Sequence, residues 1–430
     1  MNRRAPGSRK SWIIIAIAAV AVAGLGVLYF PPWIRAGEAI DSQRQIVASR
    51  VDSLRSQRVM RPVLFEPAES GNGWRPFVAA VSGVSALTDK DLVGFPSFSR
   101  DDNLEPDPVR IEAAIELIRF KIESLKHAFR RPWVEPEYEY ENMIGATFPE
   151  IARALTSSKI LCDAAANAHA RGRGEEAVDL LVINLGIADR LTVKSHLVQE
   201  LSAVAIRTRG LETLKRILSN HHCDAKQLER LARALEACDP VSADDAGWMV
   251  RQDLAVRLMM LSLYDRPEVG WNYREAMEAS ADHYYSPRIM FAECFAAQDR
   301  YAAGMEALAA RPLWERGTAT GELLDAGETP PNLHRVLQDH FGAMWHRLAS
   351  VAMEHRLARV AVAVASYNAE KKEYPSTLES LPRTLSEGFA GRAFDYTRTS
   401  EEARIDYRSR HPEPAEGLEG EDSAWRVRRR

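Results

Sequence analysis

The feature that most constrains this chain is an uncharged run of 19 residues, Trp12 to Phe30, preceded by Arg3, Arg4, Arg9 and Lys10. As an α-helix that run spans about 28 Å, close to the ~30 Å hydrocarbon thickness of a bilayer. Trp12 at one end, with Tyr29 and Trp33 at the other, suits the two interfaces, where amphipathic rings sit at headgroup level. Positive residues cluster before the run and only Arg35 follows closely. The positive-inside rule then keeps residues 1–11 in the cytoplasm and sends the rest across. The expectation is a single-pass protein of the inner, cytoplasmic membrane, N-terminus in, with its bulk extracytoplasmic.

A cleavable signal peptide is the alternative, with Ile13 to Val20 as its apolar region and Ala21-Val22-Ala23 as the cleavage site. The run continues through Leu25, Val27, Leu28, Tyr29 and Phe30, longer than such a region requires, which favours the anchor.

With 430 residues, 46% hydrophobic and 27% charged, the chain has near-average globular composition and enough apolar material for a sizeable core. A net charge of -4 argues against nucleic acid as a partner, because phosphate-binding surfaces are usually strongly basic. The expected partners are the lipid bilayer and other envelope proteins. Four cysteines, Cys162, Cys223, Cys238 and Cys294, leave disulfide pairing open in an oxidising compartment, with burial as small apolar residues the alternative. A helix over Asp224 to Ala237 holds Cys223 and Cys238 about 22 Å apart and forbids a bond between them.

The fold expected is all-α: an irregular helical-hairpin array with one N-terminal transmembrane helix (residues 12–30) and a small C-terminal α+β appendix. A juxtamembrane helix over Ala36 to Arg58 precedes a Pro- and Gly-punctuated connector with one short helix near Phe77 to Leu87, together making residues 36–107. A helical domain follows over 108–330. It opens on Ile111, Ile115, Ile118, Ile122, Leu125 and Phe129, whose alternating steps of four and three make one apolar seam. That seam fits packing on its own domain better than a partner coiled coil, because only about three heptads precede Arg130-Arg131-Pro132. Further helices are expected over Lys194 to Leu218, Asp224 to Ala237, Ala243 to Leu263 and Asn272 to Ala310, the last broken at Pro287. Residues 331–408 should hold a long helix from Asn332 to about Lys371 and two strands, Ala393 to Thr397 and Arg404 to Arg408. Residues 409–430 read as a polar, disordered tail.

Ala164 to Ala170, Arg171-Gly172-Arg173-Gly174 and the amphipathic Glu175 to Asp189 make an antiparallel αα-hairpin that resembles a tetratricopeptide unit. The resemblance covers about 34 residues, with no fixed-period repeat. The segment Leu357-Ala358-Arg359 to Tyr367, then Lys372-Glu373-Tyr374-Pro375, Leu378, Leu381-Pro382 and Phe394-Asp395-Tyr396, resembles the C-terminus of uncharacterised planctomycete single-pass membrane proteins. It is also similar, more briefly, to the helix-to-sheet junction of type II secretion pseudopilins. The pseudopilin glutamate inside the apolar helix and the calcium loop are both missing, so neither pilus assembly nor metal binding is implied.

Motifs for chemistry are sparse, and no catalytic residue is assigned. Gly172-Arg173-Gly174-Glu175-Glu176-Ala177 matches GxGxxA, but a helix rather than a strand precedes it, so it reads as a hairpin turn and no cofactor site is expected. His334, His340, His346 and His355 lack the three- or four-residue spacing of helical metal ligands. In His221-His222-Cys223-Asp224 the aspartate fits a helix cap, and no metal site is expected. Glu135, Glu137, Glu139 and Glu141, interleaved with Tyr138 and Tyr140, suit a solvated loop better than a carbohydrate or cation site. Arg426, Arg428, Arg429 and Arg430 read as part of a solvated tail.

The function expected is an envelope scaffold or protein-interaction module. The alternative is a hydrolase acting on envelope material through residues distant in sequence, so the assignment as an enzyme leans to no.

Overall fold

The computed structural model describes residues 9–99, 106–136, 149–195, 197–220, 223–240, 245–265, 287–309, 332–386, 389, 393–407 and 424–428. Side chains are described throughout these except at 9–31, 197, 245–252, 255, 287, 305–309, 332–344 and 383–384. The chain is predominantly helical. No helix among the described residues is long and apolar enough to cross a membrane; the run 12–30 lies outside those whose side chains are described.

Helix α1 runs unbroken over Arg9–Ser56, where two separate helices were expected. It passes through Pro31-Pro32, which cannot donate to the carbonyls one turn back. Its second half buries Ala36, Ile40, Val47, Val51 and Leu54, the stripe visible in the sequence. Against it lie α8 (Asp245–Asp265) and α9 (Pro287–Ala309). Polar residues tie these three helices together. The Arg257 side chain is 3% exposed and donates to Asp253 Oδ2 at 2.9 Å and Asp299 Oδ1 at 2.7 Å, while Gln298 donates to Asp253 at 2.6 Å. Arg257 also bonds Gln43, and Arg50 reaches Asp253.

The connector 57–73 is pinned to the end of α3 (Pro108–Phe129). Arg61 N donates to Pro132 O at 2.7 Å, Leu64 N to Phe129 O at 3.2 Å and Gly73 N to Trp133 O at 2.8 Å. The short strands β1 (Val59–Met60) and β2 (Trp133–Val134) pair antiparallel there. Helix α2 (Trp74–Val84) starts three residues before the expected position, because Asn72 Oδ1 accepts from Trp74 N at 2.9 Å and opens the helix. Asp107 caps α3 by accepting from Val109 N and Arg110 N, with Pro108 at the first position, where a missing N–H costs nothing.

The hairpin forms as α4 (Pro149–Ala170) and α5 (Gly174–Leu191). Gly172 turns the chain with φ +78°, a backbone state open to glycine. From Leu180 onward helix α5 is buried all round, including Leu180, Val182, Ile183 and Ile187 opposite the expected stripe, and α3, α4, α6 (Leu197–Asn220) and α7 (Ala225–Ala237) pack against it. At Gly186 an added methyl would sit 2.8 Å from Leu64 Cδ1 and 3.1 Å from the Phe129 ring, so glycine lets the connector close on α5.

Helix α10 spans Asn332–Lys371 as expected. After a 3₁₀ turn (Leu378–Ser380) and the short α11 (Arg383–Ser386) comes an antiparallel sheet of β3 (Asp395–Arg398), β4 (Glu402–Asp406) and β5 (Trp425–Arg428), with β4 central. Strand β5 corrects the reading of 409–430 as a disordered tail; residues 408–423 lie outside those described. Trp425 and Val427 face inward while Arg426 and Arg428 alternate outward, a period-2 pattern masked by the arginine content. The two earlier strands sit within two residues of their expected places. Tyr374 of the Tyr-Pro segment donates to Val427 O at 2.9 Å, and Tyr396 to Pro375 O at 2.9 Å, so this segment fastens α10 to the sheet.

Candidate interaction surface and buried charge

The residues singled out in the sequence are not brought together. Gly172 to Ala177 form the α4–α5 turn and the start of α5. Asp224 caps α7 in a capping box, accepting from Gln227 N at 2.9 Å while Gln227 Oε1 accepts from Asp224 N at 3.1 Å. His221 and His222 lie outside the described residues, as do Glu137 to Glu141; the backbone of Glu135 is held by Asn72. His346 is exposed on α10, His355 is buried, and the side chains of His334 and His340 are not described. Arg426 and Arg428 lie in β5, and Arg428 donates to Glu402 at 2.8 Å. The four cysteines are buried and free, and burial pushes Cys162 and Cys223 up to about 12. Among the described residues no three His, Cys, Asp or Glu side chains converge as metal ligands.

What stands out instead is the outer face of α3. Its inner face buries the isoleucine seam, which packs within the chain rather than on a partner. Its outer face carries Val109 at 68%, Leu117 at 61% and Phe120 at 62% exposure. Three large apolar side chains within three turns of one helix form a patch rather than scattered exceptions. Lys121 Nζ lies 4.6 Å from the Phe120 ring centroid, a cation at the border of the stripe.

Beside it, between α2 and α3, a shallow groove of about 340 Å³ is lined by Pro76, Ala79, Ala80, Lys121, Ser124 and His127. At its end Glu69 accepts from His127 Nδ1 at 2.7 Å and from Arg130 at 3.4 Å. The His127 hydrogen bond first, then the arginines, hold the Glu69 carboxyl below its ordinary range. The groove is therefore small-walled and bordered by cations.

A second feature lies inside, where the ends of α5 and α7 meet α6 and α10. Arg190 is 1% exposed and Arg207 4% exposed. Arg190 Nη2 donates to Arg131 O at 3.0 Å and the guanidinium lies 5.7 Å from the Phe129 ring centroid. Burial pulls Arg190 down to about 10. Asp189 sits 3.7 Å from Arg61, and Arg359 is matched by Asp239 at 2.8 Å. His355 Nε2 donates to Leu235 O at 2.7 Å; burial and the positive field of Arg207 push its imidazole down to about 4, so it is neutral.

The stripe on α3 could have been found by plotting the complement of the isoleucine seam. The buried arginines carry no local signal. No protein-family model, no curated protein and no solved structure matches the chain.

Proposed function

We propose that the chain is a membrane-anchored, extracytoplasmic interaction module of the cell envelope, which uses the outer face of α3 to bind an amphipathic helix of another protein. The observation that carries this is the exposure of Val109, Leu117 and Phe120, each above 60%, on a helix whose other face is fully used. The stripe is about 17 Å long at 1.5 Å per residue, the length of a three-turn helical ligand, the mode in which apolar residues at helical spacing enter a groove. Lys121 has no acidic partner among the described residues, so the ligand's apolar stripe should be bordered by acid at that end.

The anchor is supported by the sequence of residues 12–30 and their basic flank. Helix α1 is continuous from Arg9 to Ser56, so a span at 12–30 would be joined to the body by helix rather than by a loose linker.

The test places a photoreactive residue at Leu117 in the full chain in native membranes. We expect one envelope protein to be captured, and capture to be lost with Phe120→Asp or Lys121→Glu. Glu229, 69% exposed on α7, is the control position. Equal capture from Glu229, or none from Leu117, would refute the reading. Protease applied from the outer side should remove a C-terminal tag and spare an N-terminal one if the anchor holds.

A further inference from the structure

We infer that Arg288 binds the phosphate of a membrane phospholipid at the point where α1 leaves the bilayer; this rests on the anchor proposed above for residues 12–30. Helix α1 is unbroken from Arg9 to Ser56, so height above the bilayer can be measured along it from Phe30, the last residue of the apolar run. At 1.5 Å per residue Trp33 lies about 4.5 Å and Arg35 about 7.5 Å beyond Phe30, within a headgroup layer of roughly 5–8 Å. Trp33 is 38% and Ile34 41% exposed, which suits that layer, where amphipathic rings gather. The first carboxylates after the run, Glu38 and Asp41, come about 12 Å and 16.5 Å past Phe30, outside the layer.

Arg288 reaches this point from the first turn of α9. Its guanidinium carbon stands 4.2 Å from the centroid of the Trp33 ring, a cation–π contact. The same guanidinium lies across α1 at Gly37, where an added methyl would collide with it, so glycine leaves room for the cation against the helix. Arg288 Nε is buried and has no hydrogen-bond acceptor among the described residues, and no carboxylate among them pairs with the guanidinium. The cations further along α1 are treated differently: Arg44 is paired with Asp265, and Arg50 with Asp253. The body thus neutralises the α1 arginines away from the bilayer and brings an unneutralised one to headgroup level.

The class of ligand follows from charge, shape and place. Guanidinium N–H groups form a planar fork that matches two oxygens of one phosphate, and basic groups at this depth meet lipid headgroups. Trp33 and the backbone at Gly37 restrict the Arg288 side chain, which lowers the entropy lost when a ligand fixes it. A bound headgroup ties α9, and with it the α1–α8–α9 layer, to the bilayer and sets the angle at which the body stands on it. The α3 stripe and its groove take no part.

The test uses the purified full chain in nonionic detergent micelles, with phosphatidylglycerol as probe and native mass spectrometry as readout. We expect a lipid adduct that saturates at one per chain. Arg288→Gln should weaken it at least about tenfold, the loss expected of one hydrogen bond to a charged group, while Arg233→Gln, 70% exposed on α7, should leave it unchanged. Gly37→Ala displaces the guanidinium without removing its charge and should weaken the adduct too. If either variant fails to fold by circular dichroism, Arg288→Lys keeps the charge without the fork and should bind measurably more weakly than wild type. Absence of a saturable adduct, or wild-type affinity in the folded Arg288 variant, would overturn the proposal. Displacement of the lipid by excess inorganic phosphate at constant ionic strength would make the occupant free phosphate and overturn the lipid assignment. Carbonate washing of native membranes tells the two readings apart. A chain released by the wash refutes the anchor and this site together, whereas a retained chain whose lipid binding ignores Arg288 refutes the site alone.

Discussion

Replacing Trp425 with alanine tests whether the last strand is part of the body. Trp425 is 0% exposed, and its indole N–H donates to Glu354 Oε2 at 3.0 Å. Deleting a fully buried tryptophan leaves a cavity and costs about 3–5 kcal/mol. The lost hydrogen bond adds a part that depends on pH. Burial pushes the Glu354 carboxyl above its ordinary value, and the Trp425 hydrogen bond opposes that rise. An acid raised in the folded state contributes stability at low pH, where it is protonated, and that contribution is lost as pH rises through the folded value. Without the indole donor the carboxyl rises further, so the variant's deficit should widen from mildly acidic to neutral pH. Trp425→Phe keeps most of the volume and removes the N–H. Its deficit should be about 1.5–3 kcal/mol at neutral pH, the range for a hydrogen bond to a charged group, and smaller in acid. Urea unfolding followed by circular dichroism at both pH values measures this. A Trp425→Ala variant within about 0.5 kcal/mol of wild type, the size of an ordinary surface effect, would refute the packing of β5. A Trp425→Phe deficit independent of pH would refute the role given to Glu354.

Two further perturbations probe other parts of the fold. Arg257→Ala removes the ties to Asp253, Asp299 and Gln43 in the α1–α8–α9 layer while Asp253 keeps Arg50 and Gln298, and should cost about 1.5–3 kcal/mol, the range for hydrogen bonds to a charged group; amide exchange in the second half of α1 should accelerate more than in α5. Because burial holds Cys162 and Cys223 near 12, both thiols should resist alkylation from pH 7 to 9 with no titration, and all four should react once urea unfolds the chain.

Much of the helix pattern was legible because single faces are buried. The isoleucine seam of α3, the limits of α10 and the cap at Asp224 all follow from period, propensity and capping chemistry. The continuity of α1 was not, since Pro31-Pro32 reads as a break in any local view. Strand β5 was hidden because its outward positions, Arg426 and Arg428, resemble the charged tail around them. The candidate surface was half legible. Val109, Leu117 and Phe120 are plain in the sequence, but only packing of the opposite face on the body leaves them outside. The buried pair of Arg61 and Asp189 was least visible, since it joins the connector to α5 and nothing in either segment marks it.

Helix α5 explains why charge gathers at that one place. A helix buried on every side must satisfy each polar side chain locally. The Asn184 amide donates to Ile206 O at 3.0 Å, and from Leu180 to Ala188 the other side chains of the helix are apolar, until Asp189 and Arg190 in its last turn. These two residues cannot reach solvent, since α6, α7 and the connector close over them. Asp189 is met by Arg61 from the connector, which leaves Arg190 with one backbone carbonyl and an aromatic face.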